Sequence, residues 1–275
     1  MHRIERIKNE PASFRKYREK YLKNHSSPNV KPNPREDWEV FGSVLLSQYE
    51  KKYHNLKGGK AKTLKEYVID LLAENQYGLC AYCEAKLPLG GDRRIEHFHP
   101  KSDMTTNHCW MFDWDNLLAV CEGGASNLVC EVADDESGRT ELHCDAAKGS
   151  KQDSILNPYT MPRGCLFSFD DKTGELSVNV EACKNAEVDV QLVRNTIDVL
   201  FLNCKTLKGA RRDLAIHYKL KYQKHQDEMS RGKMAKGPIR KIIAEEWFGN
   251  GKVLSFYTVR RCLLGRYAEQ CIKTN

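Results

Sequence analysis

The sequence predicts a mostly helical α+β protein in which a small metal-bound core lies between two helical regions. Apolar residues recur at helical spacing toward both ends of the chain, whereas short strand and turn patterns dominate residues 76–158. The same middle segment contains a Cys80-x-x-Cys83 pair and two further cysteines, Cys121 and Cys144. Such a segment is too small to be held by apolar packing alone, so we expect metal ligands to hold it together.

The composition argues against a membrane-spanning protein and against a protein held together by disulfide bonds. Of the 275 residues, 40% are hydrophobic and 29% are charged, and no apolar run approaches the roughly 18 residues of a membrane-spanning helix. The N-terminus is basic and lacks the apolar stretch of a signal peptide, so we expect a cytoplasmic protein without membrane contact. The 11 cysteines are an odd number, which in such a chain argues against a disulfide framework.

Positive charge is concentrated in two segments. Residues 1–65 carry 16 Lys and Arg against 7 Asp and Glu, and residues 205–241 carry 12 against 3. The formal net charge of the whole chain is +7. Such basic faces attract polyanions, nucleic acid among them, although a solvated helix surface can have the same composition.

Changes of pattern divide the chain into three regions. They are an N-terminal basic helical region, a middle region and a C-terminal region that begins with a hairpin, at residues 1–75, 76–158 and 159–275. Within the middle region, residues 122–143 hold six acidic residues and one arginine. We interpret this stretch as an acidic insertion between two metal ligands.

Spacing and capping residues predict the secondary structure. Asp37 is expected to cap the second helix, and Thr63 with Glu66 is expected to form a capping box at the third. The other helix bounds are predicted at 1–24, 37–53, 186–202, 205–227, 239–248 and 255–272. Strands are predicted at 95–98, 165–169 and 175–178, the last two as a hairpin. Residues 115–120 begin the loop or strand that leads to Cys121, and residues 145–148 could begin a short helix.

Four cysteines are the best candidates for a structural zinc site. Zinc in such sites takes four soft donors in a tetrahedron, and four thiolates leave no open position for water. Cys80 and Cys83 supply one pair, and Cys121 and Cys144 supply the other if the 22 residues between them loop out. The alternative ligands are Cys130, His143 and Cys109.

Three further motifs accompany these cysteines. They are Ile-Glu-His-Phe-His-Pro-Lys at 95–101, Asp-Trp-Asp-Asn-Leu at 113–117 and His-Cys-Asp-Ala-Ala-Lys-Gly at 143–149. Together with the cysteines they resemble the motifs of HNH nucleases, in which a zinc knuckle holds a small ββα-metal core. The resemblance covers residues 76–158 and implies hydrolysis of phosphodiester bonds in DNA or RNA, with tRNA as a possible target.

The resemblance also implies roles for individual residues. His97 matches the general base that activates water, a task that suits an imidazole near neutral pH. Glu96 and Asp145 match the ligands of a catalytic Mg²⁺ or Mn²⁺ ion, which prefers hard oxygen donors. Asn116 matches the asparagine that fixes the loop around the base.

Parts of this assignment have alternatives. The family usually has His or Asn where this chain has Asp145. His143 and Asn127 are rival ligands for the catalytic metal. Asp145 could instead cap the helix that follows it. His99 lies two residues beyond His97 and is the rival base. The candidate contacts to nucleic acid are His99, Lys101 and Lys148.

A narrower resemblance is to the retron- and Septu-associated HNH nucleases of the PtuB type. It rests on Cys-Ala-Tyr-Cys-Glu at 80–84 and Ile-Leu-Asn-Pro at 155–158, together with the three motifs above. It implies an anti-phage defence effector that works with an ABC/SMC-like ATPase, PtuA, and in retrons with a reverse transcriptase and its DNA–RNA product. The alternative function is a non-catalytic, zinc-dependent adaptor that binds nucleic acid or protein.

Overall fold

Three helices begin the chain, and the first two pack through an aromatic cluster. They are α1 (Ala12–Asn24), α2 (Pro34–Ser43) and α3 (Leu64–Asn75). The rings of Phe14 in α1 and Phe41 in α2 pack edge to face, 5.8 Å apart, and both contact Phe112 from the middle of the chain. The cluster therefore fixes the N-terminal helices against the middle region. This computed structural model describes residues 1–5, 9–26, 31–51, 61–88, 93–103, 105, 108–124, 141–233 and 237–273.

The second helix begins and ends earlier than predicted. Asn33, and not Asp37, is its N-cap, and the Asn33 side chain accepts a hydrogen bond from the backbone N–H of Glu36. Pro34 occupies the first helical position, where its missing N–H costs nothing. Asp37 instead accepts a hydrogen bond of 2.8 Å from the hydroxyl of Tyr21, so it joins α2 to α1. Helix α1 is also shorter than the predicted 1–24.

Helix α3 begins as predicted. Thr63 and Glu66 form both hydrogen bonds of the capping box, of 3.1 and 2.7 Å. At the end of this helix the Gln76 side chain turns inward and bonds both backbone groups of Ala119, donating to the carbonyl and accepting from the N–H. Because Ala119 is fully buried, Gln76 satisfies polar groups that water cannot reach.

The middle region contains two strands and a short helix. Strand β1 (Arg93–His97) pairs antiparallel with β2 (Leu117–Cys121), so that His97 lies opposite Leu117 and Arg93 opposite Cys121. The first four residues of β2 have no exposed surface, because α3 packs against this strand. Helix α4 (Asp145–Lys148) has the predicted bounds. Of the predicted acidic insertion, residues 125–140 lie outside the described part of the chain, as do the alternative ligands Cys130 and Asn127.

The C-terminal region begins with the predicted hairpin, β3 (Phe167–Phe169) and β4 (Leu176–Val178). Six helices follow it: α5 (Val180–Asn185), α6 (Val190–Val199), α7 (Lys205–Ser230), α8 (Ile239–Phe248), α9 (Tyr257–Leu264) and α10 (Arg266–Lys273). Helix α8 has the predicted bounds. None of the described helices combines the length and the apolar character needed to cross a lipid bilayer.

Two of the predicted C-terminal helices are interrupted. The helix predicted at 186–202 is limited to α6, and Glu187, with a φ of 53°, separates it from α5. The helix predicted at 255–272 is divided at Gly265, whose φ of 55° ends α9 before α10 begins. In both cases one residue in the left-handed region stops a run of helical spacing.

Glu84 joins both ends of the chain to the middle region. Its carboxylate is 2% exposed and accepts hydrogen bonds from the backbone N–H and the hydroxyl of Thr258, at 2.8 and 2.7 Å. His2 lies 2.9 Å from the same carboxylate. Burial alone would raise the pKa of Glu84, but the N-terminal ammonium, His2 and Thr258 outweigh burial and hold the pKa below its usual range. Glu84 is therefore ionised inside the protein.

We expect the Glu84→Gln substitution to lower the free energy of unfolding by about 2–4 kcal/mol, because it leaves buried partners without their carboxylate. Urea denaturation followed by circular dichroism measures the change. The matched control is Glu175→Gln, since Glu175 is half exposed in its ion pair with Lys208 and should contribute little. Equal stabilities of the two variants would contradict an anchoring role for Glu84.

Candidate metal centre and catalytic site

The four predicted cysteines come together from three places in the chain. Cys80 and Cys83 lie in the turn that follows α3, Cys121 is the last residue of β2, and Cys144 directly precedes α4. Their sulfur atoms all lie within 4.8 Å of one another. This grouping, predicted from the sequence, makes a site that could hold a metal ion such as zinc.

The spacing of the sulfur atoms fits zinc. A Zn–S bond of about 2.3 Å places tetrahedral sulfur ligands about 3.8 Å apart. The Cys80–Cys144 and Cys83–Cys121 sulfur pairs are each 3.8 Å apart. This distance is much longer than the roughly 2.05 Å of a disulfide bond. The donor set therefore fits a closed structural metal site.

The alternative zinc ligands take different positions. The Nε2 atom of His143 lies 3.8 Å from the Cys121 sulfur, and its Nδ1 atom lies 3.1 Å from the carbonyl oxygen of Glu141. His143 thus packs beside the cysteine cluster. Cys109 does not belong to the cluster. The geometry favours the four-cysteine set, with His143 as a neighbour.

A close backbone contact brings Cys144 back to Cys121 across the intervening residues. The backbone N–H of His143 donates to the carbonyl of Gly123 over 2.9 Å. Gly123 has a φ of +63°, and a Cβ atom there would lie 2.0 Å from the His143 carbonyl oxygen. Only glycine fits both the conformation and the contact. The backbone at Gly123 and the backbone at His143 therefore lie side by side, next to the cysteine cluster.

Glu96 on β1 and Asp145 at the start of α4 are the two carboxylates that the sequence assigns to a catalytic metal. The side chain of Asp145 lies close enough to Glu96 for its hydrogen bonding and charge to act on the pKa of Glu96. Glu96 is 6% exposed, and burial, followed by the hydrogen bond and the charge of Asp145, raises its pKa to about 8. Two carboxylates in contact repel when both are ionised, so such a pair shares a proton or binds a cation.

Lys148 lies against this acid pair. Its Nζ atom donates to Glu96 Oε1 over 2.5 Å and to the carbonyl of His97 over 3.0 Å. The Tyr82 hydroxyl, between the two knuckle cysteines, donates to the same Glu96 oxygen over 3.1 Å. Lys148 is 1% exposed, and this position does not agree with the contact to nucleic acid predicted for it. Its ammonium instead offsets carboxylate charge inside the site.

His97 ends β1 and is 8% exposed. Its Nε2 atom lies 3.0 Å from the carbonyl oxygen of Met111. Because a carbonyl only accepts, Nε2 carries the proton and Nδ1 keeps a lone pair. The ring packs against Trp38, with centroids 4.5 Å apart. Burial and nearby lysine ammonium groups lower the pKa of His97 to about 3, although the bond to Met111 opposes them, so the imidazole is neutral.

Asn116 joins the two loop segments that surround His97. Its Nδ2 atom donates to the carbonyls of His99 and Trp110, each over 2.8 Å, and its Oδ1 atom accepts from the N–H of His99 over 2.6 Å. His99 follows His97 by two residues, and Trp110 directly precedes Met111. The amide therefore holds both the loop of the imidazole and the carbonyl that fixes its tautomer.

The other two predicted contact residues lie farther from the acid pair. His99 stacks on Trp110 with ring centroids 4.0 Å apart, and its Nε2 atom lies 2.5 Å from Asp103. Within the described part of the chain, no contact joins His99 to Glu96. Lys101 lies over the ring of Trp38, with its Nζ atom 5.3 Å from the ring centroid. Lys101 is thus on the same side as His97.

The sequence did not point to Tyr82, Trp38 or Gln76 as site residues. Tyr82 has a local signal in retrospect, since it is an aromatic residue with a hydroxyl group between two metal ligands. Trp38 and Gln76 have none, because tertiary packing alone brings them to the site.

We expect Gly123→Ala to lower the free energy of unfolding by more than about 1 kcal/mol, because alanine is strained at this φ and collides with His143. The same variant should lose its metal faster to a chelator, since Cys144 follows the displaced backbone. Thermal unfolding and metal analysis after dialysis measure both effects. Gly164→Ala is the control, because nothing lies within 4 Å of a Cβ atom there. Indistinguishable variants would contradict the role of Gly123.

Comparison with known proteins gives one similarity that bears on this site. No family model matches the chain. Over 179 residues the chain is 34% identical to an Escherichia coli protein described as "Retron Ec83 putative HNH endonuclease". The match covers 57% of this chain and 66% of that protein, just under two thirds of its length. The similarity supports the interpretation as an HNH endonuclease and does not distinguish the PtuB type from other types.

Proposed function

We propose that this chain is a metal-dependent HNH nuclease that hydrolyses phosphodiester bonds. The observation that supports this most strongly is that Glu96 and Asp145 lie together beside the four-cysteine cluster, with His97 directly after Glu96 on β1. Each alone has an ordinary structural explanation. Together, an acid pair suited to a cation and a neutral imidazole with a free lone pair match the needs of hydrolysis. The similarity to the retron protein supports the same conclusion.

The acid pair has oxygen atoms available for a cation. Within the described part of the chain, Tyr82 and Lys148 both donate to Oε1 of Glu96, so Oε2 and the oxygens of Asp145 would hold a cation in place of a shared proton. A bound Mg²⁺ or Mn²⁺ ion would supply stabilisation of the charge that develops on the phosphate and the leaving oxygen. The ammonium of Lys148 holds the Glu96 side chain in position for this role.

His97 is suited to take a proton from water at Nδ1. The bond from Nε2 to Met111 fixes the tautomer, and burial keeps the ring neutral. Water then attacks phosphorus, the bond between phosphorus and the 3′-oxygen breaks, and the leaving oxygen takes a proton from water, so the products are a 5′-phosphate and a 3′-hydroxyl. This route does not use a 2′-hydroxyl, so both DNA and RNA, tRNA included, are candidate substrates.

We further propose that the nuclease acts in anti-phage defence with protein partners. The relative's name refers to a retron, and the motif resemblance to the PtuB type implies the ATPase PtuA and, in retrons, a reverse transcriptase with its DNA–RNA product. Affinity purification after co-expression with any ATPase and reverse transcriptase genes encoded beside it tests this proposal. Recovery of the chain alone would contradict it.

We expect His97→Ala to reduce cleavage by at least about 100-fold, because the general base is lost. The assay follows plasmid DNA and tRNA in Mg²⁺ or Mn²⁺, with a chelator as the negative control. The matched variant is His99→Ala, which removes the rival imidazole and should keep most of the activity.

The outcomes separate three explanations. Activity lost in His99→Ala and kept in His97→Ala would mean that His99 is the base. Zinc content and folding must be unchanged in both variants for the comparison to hold. Failure of the unmutated protein to cleave any nucleic acid, with binding preserved, would favour the adaptor function.

We expect Asp145→Asn to raise the Mg²⁺ concentration for half-maximal cleavage by roughly tenfold or more, because an amide is a weaker ligand than a carboxylate. The measurement is a metal titration of the cleavage rate. Asp115→Asn is the control, since Asp115 is exposed and lies outside the acid pair. An unchanged Mg²⁺ requirement in Asp145→Asn would exclude Asp145 as a metal ligand.

A further inference from the structure

Two lysine side chains from different parts of the chain converge on Trp38. Lys65 lies in the first turn of α3, Lys101 lies in the loop after β1, and each Nζ atom is 5.3 Å from the centroid of the Trp38 ring. The same ring packs against His97. One indole therefore holds two positive charges next to the proposed base.

Neither of these ammonium groups forms an ion pair with a residue that the structure describes. By contrast, Lys62 pairs with Asp70, although it lies only three residues before Lys65. The carboxylates of the acid pair and of Glu39 act on Lys101 at longer range. Lys65 and Lys101 are both partly buried. Two like charges that lie over one indole and are partly removed from water are unfavourable unless an anion binds near them.

Gly42 leaves the space that Lys65 occupies. A Cβ atom at position 42 would lie 3.7 Å from Cδ and 4.0 Å from Nζ of Lys65, so the Lys65 side chain packs directly over the surface that this glycine leaves. Gly42 lies inside α2, where glycine costs about 1 kcal/mol relative to alanine. The small residue allows α3 to project Lys65 across α2 toward Trp38.

We propose that Lys65 and Lys101 bind a backbone phosphate of the nucleic acid substrate, as an anion clamp beside His97. The inference rests on the proposed nuclease function, which makes a phosphodiester the relevant anion. The burial of both stems lowers the pKa of each lysine, and the charge of Lys65 lowers that of Lys101 further, so a bound phosphate would relieve this repulsion. Trp38 and α3 thus form one wall of the site, although they lie outside the motifs that identify the nuclease.

The test measures binding of a fluorescent DNA duplex and of labelled tRNA by fluorescence anisotropy. A chelator is present throughout, so that neither nucleic acid is cleaved. The variant is the double change Lys65→Met and Lys101→Met, which keeps the apolar stems over Trp38 and removes both charges. We expect at least about tenfold weaker binding at moderate salt. The slope of log affinity against log salt for the duplex should fall by roughly 0.9, the value for one lost phosphate contact, because both lysines bind the same phosphate.

Two controls isolate the effect of these charges. Lys62→Met removes a lysine that lies over Tyr67 in an ion pair, and its affinity and salt slope should match the unmutated protein. The double change to arginine keeps both charges and should keep most of the binding. Zinc content and the thermal midpoint of the methionine variant show whether it is folded.

The results distinguish the clamp from the nuclease. If the methionine variant binds and cleaves as the unmutated protein does, the clamp is wrong and the nuclease stands. If the unmutated protein binds but cleaves nothing, and the methionine variant loses binding, the clamp stands and the nuclease is wrong. Absence of binding to both probes by the unmutated protein would reject the clamp.

Discussion

The site depends on one constraint, which is that the sulfur atoms of the four clustered cysteines lie together. It fixes the end of β2 and the start of α4 to the turn after α3. Asp145 follows Cys144 directly, and Glu96 lies on the strand paired with β2, so the same meeting point brings the two carboxylates into contact. Cys144 has a φ of 55°, which costs a non-glycine residue about 1–3 kcal/mol. Metal–thiolate bonds of a structural zinc site are strong enough to offset that cost.

Opposing effects of burial and of neighbouring charges determine the protonation state of the acid pair. Lys148 favours the ionised form of Glu96, whereas burial and Asp145 favour the protonated form and prevail, since the pKa of Glu96 is raised to about 8. A divalent cation between the two acids would reverse this balance because it removes the repulsion. Proton and cation therefore compete for one position. His97, the proposed base, follows Glu96 directly on β1, and its ring packs against Trp38.

The sequence predicts those parts of the molecule that local chemistry determines. The cysteine set follows from soft donors at metal-binding spacing, and the capping box of Thr63 follows from side chains within one turn. The start of α2 shows where prediction from the sequence fails. Asn33 and Asp37 are both good capping residues, and Pro34 together with the hydrogen bond from Tyr21 to Asp37 determines that Asn33 is the N-cap. The helical spacing of the sequence equally fails to predict a helix that ends at a single residue with positive φ, such as Gly265. The catalytic role proposed for Asn116 came from resemblance, and its hydrogen bonds depend on tertiary folding.

The flanking helices are therefore part of the site's chemistry and not only its support. Helix α2 provides the ring against His97, and the aromatic cluster around Phe112 fixes α2 to the loop that contains Met111. Helix α3, which packs on α2, provides Lys65. On the other side, the Glu141 carboxylate accepts from the first two N–H groups of α7, which joins the C-terminal helices to the return of the chain at Cys144. A motif of short strands and one small helix can hold a metal, but its narrow surface offers few contacts to a long polyanion. Under the proposed nuclease function, we therefore expect the helical regions, where the basic residues of this chain are concentrated, to recognise the substrate.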